Sequence, residues 1–125
     1  MASRTIFTVV EESAAQLGAT PALYQPISKS GTLKYQAYTW NEYRDISREI
    51  AVGLRSLGVV KGDIVAIHSE TRAEFCLVDI GIIANGSISA ALYTSYPMAD
   101  QVKNLRVAAP KAMFVENEKI LLGMQ

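Results

Sequence analysis

The sequence predicts an α/β protein: a helix and a hairpin, then βαβαβ units of a mostly parallel sheet. Three observations carry this. Ile64-Val65-Ala66-Ile67 and Ala112-Met113-Phe114-Val115 are short unbroken apolar runs, the pattern of strands covered on both faces. Amphipathic or apolar stretches of helical length stand before and between such runs. The links are short, and strand–helix–strand–helix–strand with short links forms right-handed parallel crossovers.

The elements follow in order. Phe7, Val10, Ala14 and Leu17 recur at spacings of three and four, so residues Ile6 to Leu17 read as a helix, ended by Gly18. Ala22–Gln25 and Leu33–Tyr38 read as two extended segments. Pro26 to Gly31 forms a turn-rich connection between them, which makes an antiparallel hairpin. Thr39-Trp40-Asn41-Glu42 fits a capping box, in which the Thr hydroxyl and the Glu carboxylate each accept from a backbone amide. The helix behind it places Trp40, Tyr43, Ile50, Leu54 and Leu57 on one stripe, with Ile46 beside it. Arg44, Asp45, Arg48, Glu49 and Arg55 fall largely on the wet side, and Gly58 stops the helix.

Gly62-Asp63 turns the chain into the strand Ile64–Ile67. Ser69 or Thr71 is placed to cap a mostly apolar helix from about Arg72 to Ala84. Asn85-Gly86 is the next turn, and Ser87–Tyr93 the next strand. A helix from about Met98 to Val107 follows Pro97, Ala112–Val115 is the third apolar strand, and a further element starts within Glu116–Leu122. The sequence contains no internal repeat and no low-complexity segment.

Composition narrows the function classes. The 125 residues are 50% hydrophobic and 19% charged, with twelve basic residues against twelve acidic ones and no block of either sign. Nucleic-acid surfaces need clustered Lys and Arg, so none is expected here. Cys76 is the one cysteine, and no internal disulfide can form. The apolar run Ile6–Val10 is too short for a signal peptide, so a cytoplasmic location is expected. Phe75–Tyr93 approaches the length of a membrane span. Asp79 within it would cost about 2.5–3.5 kcal/mol near a bilayer centre. Asn85-Gly86 also interrupts it, so a helix, a turn and a strand describe it better.

Catalytic signatures are sparse. Gly53 and Gly58 have the glycine spacing of a phosphate loop, but Val59-Val60 replaces the Lys-Ser/Thr, and the pair falls in and after a helix. His68 ends a strand, where α/β proteins place ligand-contacting groups, yet it has no identifiable partner, which favours a structural or solvated role. Cys76 reads as a small core residue, since a thiolate needs a positive neighbour and only Arg72 is near. Asp63 suits turn chemistry, and Glu74 a favourable charge in the first turn of its helix. Tyr93-Thr94-Ser95 stands at a strand end without anything that selects it over an ordinary loop.

The run TWNEYRDISREIAVGLRSLGVVKGDIVAIHSETRAEF resembles the early part of the adenylate-forming acyl-CoA synthetase superfamily. Members carry a Thr-Trp-x-Glu helix start, a Leu-Gly-Val-x-x-Gly-Asp-x-Val-Ala-Ile turn and strand, and an Arg-Pro-Glu-Trp helix start, here Arg72-Ala73-Glu74-Phe75. The following GSISAALYTSYPMADQVKNLRVAAPKAMFVENEKIL is similar to the long-chain fatty-acid–CoA ligase branch, with Tyr96-Pro97-Met98-Ala99-Asp100-Gln101-Val102 at its helix start. Ala73, Ala91 and Thr94 stand where many members have proline, and Val107-Ala108-Ala109-Pro110 is looser.

The resemblance implies that residues 1–125 are the N-terminal portion of an AMP-binding domain, an incomplete part of the large domain, ending before the ATP-phosphate loop. It implies an acid–thiol ligase that consumes fatty acid, ATP and CoA with Mg2+, by acyl adenylation and then thioester formation. Other adenylate-forming enzymes remain alternatives: fatty-acyl-AMP ligases, carrier-loading adenylation domains, or a non-catalytic binding or oligomerisation module of the same ancestry. The family's phosphate loop, its acidic residues for ribose and magnesium and its C-terminal Lys have no counterpart here. No residue is therefore given a catalytic, cofactor-binding or metal-binding role, and this segment alone is expected to be inactive. Peripheral membrane association and homo-oligomerisation are left open.

Overall fold

A computed structural model describes residues 3–125. Helix α1 (Ile6–Leu17) is capped at its start by Thr5, whose hydroxyl accepts from the Thr8 amide, and at its end by Gly18. Val10 and Ala14 are its buried residues; Leu17, expected on the same stripe, is about half exposed.

Strands β1 (Pro21–Lys29) and β2 (Thr32–Thr39) pair antiparallel from Pro21↔Thr39 to Lys29↔Thr32. The expected connection at 26–31 is a correction: the hairpin extends through Pro26 and Ile27, and the turn is Ser30-Gly31 alone. Both turn residues have positive φ, 56° and 76°, the backbone that lets a two-residue turn follow strand twist. Pro26 lacks a ladder donor but lies on an outer strand, where that omission is tolerated.

Helix α2 (Trp40–Ser56) begins with the expected capping box. Thr39 Oγ1 accepts from Glu42 N at 3.2 Å, and Glu42 Oε2 accepts from Thr39 N at 2.7 Å. Such a cap stabilises a helix start by about 1 kcal/mol. Leu54 and Ser47 are buried, whereas Leu57, at the foot of the expected stripe, is 78% exposed because the helix has already ended. Arg48 pairs with Glu11 across to α1.

Strand β3 (Ile64–His68) is central in a parallel sheet ordered β4-β3-β5, with β4 (Ile88–Ala91) and β5 (Ala112–Val115) on its two sides. Register pairs Ile67 with Ala91 on one side and with Phe114 on the other. β4 is shorter than the expected Ser87–Tyr93. Ser87 turns away to bond Val60 O, and only Leu92 N continues the pairing, to Ile67 O.

Helices α3 (Ala73–Ala84) and α4 (Met98–Ala108) make the two crossovers, and α5 (Glu118–Gly123) follows β5. The crossovers run in opposite directions across the sheet, so right-handedness puts α3 on one face and α4 on the other. On the α3 face Val65 and Ile67 pack with Leu54, Val59 and Ile82, and Ile50, Phe75, Val78, Ala112 and Phe114 close around them.

Asn85 locks the opposite end of this layer. Fully buried, it accepts from Arg55 Nε at 2.8 Å and donates to Val59 O and Ser87 Oγ at 3.1 and 2.9 Å. Asp63 performs the expected turn chemistry by accepting from Val60 N at 2.9 Å.

Candidate functional site

The sheet reverses its direction of growth at β3, since β4 is laid down on one side and β5 on the other. Ligands of open α/β sheets bind beyond the carboxyl ends of strands at such a switch. A cleft of about 180 Å³ lies there, between the ends of β3 and β5 and the start of α3. Its floor is apolar, from Ile67, Phe75, Val78 and Phe114, and its rim carries Arg72, Glu74 and Glu116.

The rim is a closed ion-pair group. Arg72 Nε and Nη2 donate to the two Glu74 oxygens at 2.8 and 3.1 Å, and Nη1 donates to Glu116 Oε1 at 3.3 Å. The second Glu116 oxygen accepts from Glu70 N at 2.9 Å. The hydrogen bond from Arg72 holds the Glu74 carboxyl below the usual range, and the bond to Glu74 raises Arg72 in turn. These groups are partly solvated, so each pair adds little to stability, about 0–1 kcal/mol. Their effect is geometric: the loop between β3 and α3 is tied to the end of β5.

Such a rim does not suit a polyphosphate. One guanidinium stands against two carboxylates, and phosphate binding asks for free backbone amides and cations. The first amide of α3 is also taken, since Ala73 N donates to Gln25 Oε1 at 2.7 Å. This corrects the expected cap: neither Ser69 nor Thr71 caps α3, whose N-cap residue is Arg72, without a side-chain bond of its own. Ser69 Oγ instead donates to Glu70 O. Among the described residues no group of three or more His, Cys, Asp or Glu could hold a metal ion.

The remaining candidates disperse. His68 is buried at 4% exposure, and neither ring nitrogen has a hydrogen-bond partner among the described residues. It follows Ile67 in the strand, so its side chain projects to the α4 face and away from the cleft. Gly53 lies within α2 and Gly58 just past its end, so they form no strand-to-helix loop. Cys76 is half-buried where α3 meets the hairpin, and burial, then the Asp79 carboxylate, push its thiol upward. It is poorly disposed to be a thiolate. Glu74 does occupy the first turn of α3, with Arg72 as its direct partner. Tyr93 is exposed and stacks at a tilt on Tyr96, while Gln101 Nε2 donates to Thr94 O and Tyr96 O. Glu116 and Phe114 had no signal in the sequence beyond their place at a strand end, 44 residues from Arg72.

The profile of one family, described as AMP-binding enzyme, matches residues 10–124. The chain belongs to the AMP-binding enzyme family. This AMP-binding chain is 28% identical over 96 residues to an acyl-CoA ligase, azaF, of Aspergillus niger, a match covering 77% of the chain and 18% of that protein. It is 43% identical over 56 residues to the long-chain-fatty-acid–CoA ligase FadD15 of Mycobacterium bovis, covering 45% of the chain and 9% of the relative. The fold matches the crystal structure of the anthranilate CoA ligase AuaEII with a TM-score of 0.82 at 19% identity, over 94% of this chain and 21% of that one. The AMP-binding chain thus spans a minor part of the relatives it matches. Its α/β architecture is that of the N-terminal part of adenylate-forming enzymes. Among the described residues no helix is long and apolar enough to cross a membrane.

Proposed function

We propose that this chain is the N-terminal portion of an AMP-forming long-chain fatty-acid–CoA ligase, lying ahead of the ATP-phosphate loop. The observation that carries the fatty-acid assignment is the 43% identity to the Mycobacterium bovis ligase, against 28% for the Aspergillus niger protein over a longer stretch. In the proposed reaction a fatty-acid carboxylate attacks the α-phosphorus of ATP, releasing pyrophosphate and forming an acyl-adenylate. The CoA thiol then attacks the acyl carbon and AMP leaves. Magnesium would offset the phosphate charge.

The residues of this segment do not fit the nucleotide or its metal, because the cation of the cleft rim is already neutralised. No step is assigned to them, and the segment by itself is inactive under this proposal. Its part is structural: it builds one parallel layer against which the rest of the large domain folds. The location proposed is the cytoplasm.

The test is ATP–pyrophosphate exchange by the full-length protein with a panel of acids. Palmitate-dependent exchange, followed by CoA-dependent release of AMP, is the expected result. Exchange driven by benzoate or anthranilate would move the assignment to an aryl-CoA ligase, the chemistry named for the structural neighbour. Absence of exchange with every acid of the panel would leave a non-catalytic module of this ancestry.

A further inference from the structure

The hairpin and the switch-point cleft are far apart in the sequence and meet at one residue. Gln25, in the middle of β1, accepts from Ala73 N through Oε1 at 2.7 Å, and the two residues are 48 positions apart. The first turn of a helix leaves amides that need acceptors. Local residues could supply one, since Ser69 and Thr71 stand just upstream, but neither does so. Arg72, the residue between Thr71 and Ala73, lines two spaces at once: the cleft, and a hollow against Leu23, Tyr24, Gln25 and Pro26 of the hairpin. Its guanidinium then reaches Glu116 at the end of β5. A continuous line of contacts therefore runs from β1 through the start of α3 to the far side of the cleft.

We infer that Gln25 is a positioning residue for this cleft: the hairpin, through the Gln25 cap, sets the place of Arg72 and so the shape of the cleft's mouth. The hairpin is suited to this because its strands pair with each other and with no strand of the parallel sheet. Displacing the hairpin would uncap α3 without breaking the parallel sheet, leaving Arg72 held by Glu74 and Glu116 alone. The inference is independent of which acid the full-length enzyme activates.

Hydrogen–deuterium exchange on the full chain tests it, comparing the parent protein with Gln25→Met and Gln25→Glu. Methionine keeps the length of the side chain and removes the acceptor. Glutamate keeps the acceptor and adds a charge favourable to a helix start. The expected result is about fivefold to tenfold faster exchange over residues 70–76 in Gln25→Met. Exchange in α1 and α2 should not change, the melting temperature should shift little, and Gln25→Glu should restore protection. Unchanged exchange over 70–76 in Gln25→Met would overturn the inference. So would a uniform acceleration across the chain, which would mark general destabilisation, or a failure of Gln25→Glu to restore protection.

Discussion

Tyr43 lies on the inward side of α2, its hydroxyl 3.5 Å from the Cys76 carbonyl, a distance that contributes little as a hydrogen bond. Burial, followed by the neighbouring Cys76 and Asp79, pushes its pKa from 10.0 up to about 12. The neutral phenol is therefore favoured in the folded chain. Its contribution to stability is complete below pH 10 and is lost as pH rises towards 12, because the unfolded chain ionises first. Melting curves between pH 9 and pH 12 should show Tyr43→Phe losing less stability over this range than the parent protein; equal losses would remove Tyr43 from the account. At this scale the sequence was legible where partners are close. The Thr39–Glu42 box and the Asp63 turn each join residues three apart. It was not legible at Gln25–Ala73 or Arg72–Glu116, since no local pattern encodes a bond across 48 or 44 residues.

Between α2 and α3, Gly81 leaves no room for a side chain. A Cβ there would lie 2.5 Å from Ile50 Cγ2, 2.6 Å from Ile50 Cβ and 3.2 Å from Ser47 O, none of which can swing aside. Gly81→Ala should thus destabilise the protein by about 1–3 kcal/mol, read by urea denaturation, although alanine has the better helix propensity. Unchanged stability would show that the two helices have room to separate. The helices themselves were readable, because apolar residues at spacings of three and four, ended by Gly18 or by Asn85-Gly86, leave few alternatives. The hairpin was readable as a hairpin but not in its length. Pro26 looked like a breaker, and only the pairing of Pro26 with Tyr35 shows that the strand tolerates it. The cleft was hidden for a related reason: it exists only once β5 is placed beside β3.

Across the molecule, the three parallel strands expose an edge on each side among the described residues, since β4 and β5 each pair with β3 alone. Ile88 on β4 is 54% exposed, and Val52, Leu57 and Val107 are exposed more fully still. Unmanaged edges and apolar patches of this kind favour association. Under the function proposed above, these features belong to a layer that further chain covers. The most direct measurement is the intact mass of the native protein from its source. The expected product is several times heavier than the 13.6 kDa of these 125 residues. A native product of 13.6 kDa would contradict this expectation, leaving the family and the fold in place and removing the ligase activity proposed for the whole.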